Sequence, residues 1–256
     1  MIEITAADGH IFSAYRADPA DSPKGVVVVL QEIYGVNAYI RKLTDAFAAQ
    51  GFLAVAPSLF DRVEKAVELG YDEAGIAKGL EMTKALGEGT FLDIQATVNA
   101  LSEFGKVGLV GFDWGGFLAY NAANSVQGLA TVVSYYGCGI VNDAIHRRKI
   151  PTLLHFGTQD QYIPLDQITM FRAQRPDLRI CTHKADHYFA SEEHPAYNAA
   201  ATQSAWESTL QHLTHILEGP PVVTLKNQGA YAAVKEKDAK KKSPAVAASD
   251  DMGPPM

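Results

Sequence analysis

The sequence predicts an α/β protein built on a doubly wound, mostly parallel sheet. Three observations predict it. Short aliphatic runs at residues 26–30, 52–56, 107–111, 130–136 and 152–156 suit strands buried on both faces. Stretches with helical apolar spacing alternate with them as far as about residue 218. No internal repeat and no second apolar core interrupts the alternation.

The elements follow in order. Residues 11–16 read as a first short strand at a sheet edge, and Pro19 and Pro23 mark the loop after it. Val26–Leu30 is the first fully buried strand. Asn37 is placed to cap the next helix, whose stripe is Ile40, Leu43 and Phe47, with Gly51 at its end. A second buried strand, 52–56, closes at Pro57. Residues 58–86 are less regular, rich in charges and glycines, and are expected to wander over the sheet before a helix. Phe91, Ile94, Val98, Leu101 and Phe104 define an amphipathic helix. A strand at 107–111 then runs into a small-residue helix. Two further strands follow at 130–136 and 152–156, and a last one at 179–184. Trp206, Leu210, Leu213 and Leu217 mark a final helix. Residues 1–218 are thus expected to form one domain. Residues 219–256, with Pro220-Pro221 and K-E-K-D-A-K-K-K, bury too little apolar surface to order themselves and are expected to be a flexible tail.

Composition narrows the function. A chain of 256 residues with 47% hydrophobic and 20% charged residues can carry a full core. The net charge of −7 argues against nucleic-acid binding. No apolar run reaches the ~18 residues that a membrane span needs, and the N-terminus has no secretory pattern. Two cysteines, Cys138 and Cys181, suit a reducing compartment, so a cytoplasmic protein is expected. The expected partner is a small-molecule substrate, and the expected state is a monomer or small homo-oligomer.

The chemistry concentrates in K-V-G-L-V-G-F-D-W-G-G-F-L-A-Y, residues 106–120. A strand ends, one residue sits on a sharp turn, and a helix begins. This is the form of a nucleophile elbow, with Asp113 at its tip. Ligands of open α/β sheets sit beyond the carboxyl ends of the strands. Three more reactive side chains fall there: Glu32 in Q-E-I-Y-G, Asp160 in G-T-Q-D-Q-Y-I-P and His187 in A-D-H-Y-F. Elbow residue, acid, histidine is the chain order of an α/β-hydrolase fold. In that arrangement His187 moves protons, Asp160 fixes its tautomer, and the backbone amides of Ile33 and Trp114 face a developing oxyanion. If Glu32 lies near Asp113, one of the two carboxyls should titrate abnormally high. Tyr34, Tyr136, Tyr188, Phe189 and Arg62 are candidates for the substrate pocket, Arg62 as a contact for an anion. Cys138, two residues after a strand, is off the elbow and is not read as the nucleophile.

These motifs resemble the dienelactone hydrolase family of α/β-hydrolases. The matching pieces are Q-E-I-Y-G-V-N, G-F-D-W-G-G, G-T-Q-D-Q-Y-I-P and A-D-H-Y-F, spanning residues 31–189. The resemblance implies a compact domain without a large cap, no metal and no cofactor, and hydrolysis of lactones or small carboxylic esters. It places Asp113 at the nucleophile, Asp160 at the triad acid, His187 at the base, Glu32 at an auxiliary glutamate, and Ile33 and Trp114 at the oxyanion positions. The family's elbow usually carries cysteine where this chain has Asp113. Its dienelactone-specific members carry an arginine after the histidine, where this chain continues Tyr188-Phe189-Ala190-Ser191.

A carboxylate is a poor nucleophile for acyl transfer, because it is a better leaving group than the alkoxide it would displace. It works well against saturated carbon, where an alkyl–enzyme ester forms and is hydrolysed. Three readings therefore stay open. The chain is an ester or lactone hydrolase with Asp113 in an altered role, an Asp-nucleophile enzyme of the dehalogenase kind, or a binding protein that keeps the fold without the chemistry.

Overall fold

A computed structural model describes residues 1–218. The elements are β1 (Ile2–Thr5), β2 (Ile11–Ala17), β3 (Val26–Leu30), α1 (Ala38–Ala49), β4 (Leu53–Pro57), α2 (Glu73–Leu86), α3 (Gly89–Leu101), β5 (Val107–Phe112), α4 (Trp114–Ser125), β6 (Leu129–Tyr135), β7 (Thr152–Gly157), α5 (Leu165–Gln174), β8 (Arg179–His183) and α6 (Ala199–Leu217). The strands form one sheet in the order β1-β2-β4-β3-β5-β6-β7-β8. From β4 to β8 every pairing is parallel, and β1 and β2 join antiparallel at one edge.

The aliphatic run of β3 explains why the sheet is covered on both faces. Successive strand residues point to opposite sides. Val26, Val28 and Leu30 pack with Ile94 and Val98 of α3 and Leu118 and Ala122 of α4. Val27 and Val29 pack with Ile40 and Phe47 of α1 and Leu213 and Leu217 of α6. All five β3 residues are fully buried, which a strand with only one covered face would not require.

Local signals set the helix ends. The Asn37 side chain accepts from the Ile40 amide, and Asp72 and Asn198 do the same for Gly75 and Ala201. Gly51 follows α1 at φ 92°, as expected of a residue just past a helix end.

Three departures from the sequence reading stand out. The edge strand is β1, formed by Ile2–Thr5, and the strand at Ile11–Ala17 lies inside it. The alternation of I-E-I-T, with Ile4 buried, is the signal for it. Helix α5 was not anticipated, because its apolar contacts come down to Ile168 and Phe171. Phe104 does not extend α3; it lies in a 3-10 turn, partly exposed. The expected tail, 219–256, lies outside the described residues. Among the described residues, no helix is long and apolar enough to cross a membrane.

Candidate active site

Asp113 follows β5 and precedes α4 at φ 51°, ψ −113°. Left-handed φ is costly for a non-glycine residue and is kept where the surroundings over-determine it. Here the Asp113 amide donates to the Tyr135 carbonyl, and its own carbonyl accepts from the Phe117 amide. Helix α4 starts hard against the sheet. A Cβ on Gly115 would lie 2.4 Å from the Leu30 carbonyl oxygen, so only glycine fits that position. Three of the four non-glycine residues with positive φ among the described residues, Asp113, Tyr136 and Tyr188, belong to this region.

Asp160 follows β7 and His187 follows β8. Their side chains meet above the sheet. His187 Nδ1 lies 2.6 Å from Asp160 Oδ2, and His187 Nε2 lies 3.4 Å from Asp113 Oδ1. The other Asp160 oxygen accepts from the amides of Tyr162 and Ile163, at 2.8 and 3.0 Å. Asp160 is thereby fixed on both oxygens and aimed at the ring. Burial by itself would favour neutral imidazole. The two flanking carboxylates override it and push the His187 pKa up to about 12. The resting histidine is therefore an imidazolium held between two carboxylates.

Glu32 lies two residues beyond β3 and is fully buried. It accepts from Tyr136 Oη at 3.2 Å and Tyr71 Oη at 3.4 Å, with Ser191 Oγ at 3.5 Å. Burial, and then the Asp113 charge, raise its pKa to about 8. The abnormal titration expected of the pair thus falls on Glu32.

A cavity of about 530 Å³ opens over Asp113 and His187. Ile33 and Trp114 also line it. The Trp114 amide is the first of α4, where a helix leaves its N–H groups free for other partners. Tyr188 also lines the cavity, and its hydroxyl donates to Asp113 Oδ2 at 3.4 Å.

Four pocket candidates are corrected. Arg62 does not reach the cavity: its guanidinium is bound to Asp93 at 2.7 and 2.8 Å and to Asp8 at 2.7 Å. Two acids that flank it in space hold it in a structural tie. Tyr34, Tyr136 and Phe189 are fully buried and lie behind the cavity wall rather than in it. Tyr136 serves Glu32, Phe189 packs on Tyr136 with ring centres 5.3 Å apart, and Tyr34 packs on Tyr71 at 4.4 Å.

Sequence reasoning missed other residues. Tyr71 and Ser191, which reach Glu32, come from segments without a periodic signal. Cys138 is no bystander: it lines the cavity with Sγ 4.0 Å from His187 Nε2. Its place just beyond the end of β6 was the available signal. Asp113, Cys138 and His187 hold an oxygen, a sulfur and a nitrogen within 4.8 Å of one another. Both cysteines are free thiols, and both are half-buried.

An elbow, an acid and a histidine beyond the ends of the parallel strands β5, β7 and β8, on a sheet of this order, make this an α/β-hydrolase fold. The chain belongs to the dienelactone hydrolase family, whose family model matches residues 12–217. It is 33% identical over 232 residues to a carboxymethylenebutenolidase of Pseudomonas putida, covering 86% of this chain and 98% of that one. It is 31% identical to carboxymethylenebutenolidase 1 of Cupriavidus pinatubonensis, covering 83% and 95% of the two chains. Among solved structures, it is similar to a dienelactone hydrolase-like promiscuous phosphotriesterase from metagenomic libraries, with a TM-score of 0.67, 19% identity, and 84% and 98% of the chains covered. An esterase of Pyrococcus furiosus superposes with a TM-score of 0.62 at 15% identity, covering 84% and 90%. These two likenesses concern the fold alone.

Proposed function

We propose that this protein hydrolyses a lactone or small carboxylic ester in the cavity above Asp113, with Asp113, His187 and Asp160 handling the protons. The observation that carries the reading is the chain of contacts Asp160–His187–Asp113 at the cavity floor. Family membership supports the reaction class, and the relatives named as carboxymethylenebutenolidases are lactone hydrolases by name.

The role of Asp113 follows from its chemistry. Its carboxylate takes a proton from a water molecule as the water oxygen attacks the ester carbonyl carbon. The carbonyl oxygen becomes an oxyanion, facing the Ile33 and Trp114 amides. When the carbon–oxygen bond to the alcohol breaks, the imidazolium of His187 gives its Nε2 proton to the departing alkoxide. Asp160 stabilises the imidazolium and keeps the ring oriented. The proton on Asp113 then returns to His187, and acid and alcohol leave. The raised pKa of His187 suits an acid that is charged before the substrate arrives. No acyl–enzyme forms in this scheme.

A second reading is favoured by the position of Asp113 itself. A carboxylate at an elbow can attack saturated carbon directly and displace a halide, leaving an alkyl ester on Oδ. Intact-protein mass separates the two. With p-nitrophenyl acetate, the proposed route expects turnover without a covalent adduct and at least a ~100-fold loss in Asp113→Asn; with an alkyl acetate, whose departing alkoxide needs a proton, a loss of the same size is expected in His187→Ala. Hydrolysis that survives Asp113→Asn at full rate would overturn it. A haloalkane that leaves an alkyl mass on the Asp113 peptide, accumulating in His187→Ala, would move the assignment to the second reading.

A further inference from the structure

The cavity above Asp113 is apolar at its mouth and acidic at its floor. Ile76, Leu80, Phe117 and Tyr162 line it, and they are 36%, 46%, 37% and 62% exposed. Exposed apolar side chains scattered singly need no explanation, but four around one opening mark a surface kept for a ligand. Ile76 and Leu80 are four residues apart on α2 and so share a helix face. Phe117 comes from α4, and Tyr162 from the segment after β7. Three separate stretches of chain therefore supply one greasy rim.

Apart from His187, the charges in the lining have one sign. Asp113 and Asp186 line the cavity, and among the described residues no lysine or arginine does. Arg62 is tied to Asp8 and Asp93, Arg41 to Glu68, and Lys78 to Glu64. The cationic side chain of the lining, His187, is already shared by two carboxylates. A carboxylate brought into this space would shed water, find no free counter-charge, and face the existing acids across a medium that screens weakly.

We infer that the cavity selects uncharged esters or lactones bearing an apolar alkyl or aryl group, and rejects substrates that carry a carboxylate. The ester part rests on the hydrolase reading above; the selectivity for neutral apolar groups stands on the cavity itself. The selective contacts are the Ile76–Leu80 face, Phe117 and Tyr162, with the acids as the excluding element.

Binding can be read apart from turnover. Trp114 lines the cavity, and Trp206 is the chain's other tryptophan. Quenching of Trp114 fluorescence in Trp206→Phe, repeated in the unaltered chain, is titrated at neutral pH with p-nitrobenzyl alcohol, p-nitrobenzoate and p-nitrobenzylammonium. The alcohol is expected to bind at least about tenfold more tightly than the benzoate. Leu80→Arg, at a half-exposed position, is expected to narrow that gap severalfold. Benzoate binding as tight as the alcohol, tighter binding of the ammonium, no saturable quenching by any of the three, or a gap unmoved by Leu80→Arg would each overturn the inference. p-Nitrophenyl butyrate and p-nitrophenyl hemisuccinate are then compared as substrates. Selective binding without hydrolysis of either ester would sink the hydrolase reading and leave the selectivity standing.

Discussion

His187 Nε2 lies 3.4 Å from Asp113 Oδ1, so the histidine of this site faces a carboxylate at the tip of the elbow. With Asp160 at 2.6 Å on the other side, the ring is clamped between two anions. That clamp decides its charge and the way activity should depend on pH.

A general base at an ordinary histidine pKa gives an activity that falls below pH ~6.5. The present arrangement has the opposite sign. On the proposed route the imidazolium is the working form, present below its folded pKa of about 12 and lost only as pH rises through it. The profile of kcat/KM should therefore show no limb assignable to His187 between pH 6 and 7.5. A limb near pH 8 is expected from Glu32, whose ionisation adds a second negative charge close to Asp113. In Glu32→Gln that limb should vanish. A limb unchanged in Glu32→Gln would refute the assignment.

Glu32 should also leave a mark on stability. Its folded pKa of about 8 stands above the reference value of 4.5. Between those values the folded state holds a proton that the unfolded state releases. Its contribution is thus fully present below pH ~4.5 and is lost as pH rises through about 8, by on the order of 5 kcal/mol at most. Denaturant titrations from pH 5 to 8 should show the unaltered protein losing more stability than Glu32→Gln. Parallel curves would contradict the burial of an ionisable carboxyl here.

Arg62 tests structure without touching the cavity. It joins Asp8, in the β1–β2 turn, to Asp93, whose side chain is fully buried in α3. Arg62→Ala strands the Asp93 carboxylate, and losing one partner of a buried pair costs about 3–5 kcal/mol. Arg62→Ala with Asp93→Asn should recover a large part of that. Equilibrium unfolding of the single and double variants provides the check, and the folded fraction should keep its kcat/KM.

Cys138 offers a chemical probe of the same space. Its sulfur lies in the cavity wall, 4.0 Å from the histidine nitrogen. A carbamidomethyl group there should obstruct the cavity and abolish ester hydrolysis. Cys138→Ser should be immune to iodoacetamide at an otherwise similar rate. Peptide mapping distinguishes modification at Cys138 from modification at Cys181, and full activity after complete alkylation of Cys138 would argue against a substrate site in this cavity.

Much of the fold was legible because its signal is local. Runs such as Val26–Leu30 demand cover on both faces, and the elbow glycines permit one turn only. Asp113, Asp160 and His187 were legible for a related reason: each follows a strand, and strand ends in such a sheet converge. Other residues depend on tertiary approach. Nothing in the sequence around Arg62 says that Asp8 and Asp93 come within reach of it. Aromatic residues at strand ends read equally well as pocket wall or as packing, and only the positive φ of Tyr136 and Tyr188 turns one inward to Glu32 and the other toward Asp113. Tyr71 lies in the irregular segment, where no periodicity could signal its contact with Glu32.

Helix α2 carries the apolar wall of the cavity, and it sits directly on the loop that bears Ile33. A Cβ on Gly79 would come within 2.2 Å of the Ile33 carbonyl oxygen, so this helix has no room to slide inward. The wall and the loop that bears Ile33 are thus packed backbone against backbone. Adaptation to a longer or bulkier substrate would then proceed by trimming side chains at Ile76, Leu80 and Thr83 rather than by shifting the helix. Specificity on this scaffold should evolve in small, separable steps that leave the proton-handling residues where they are.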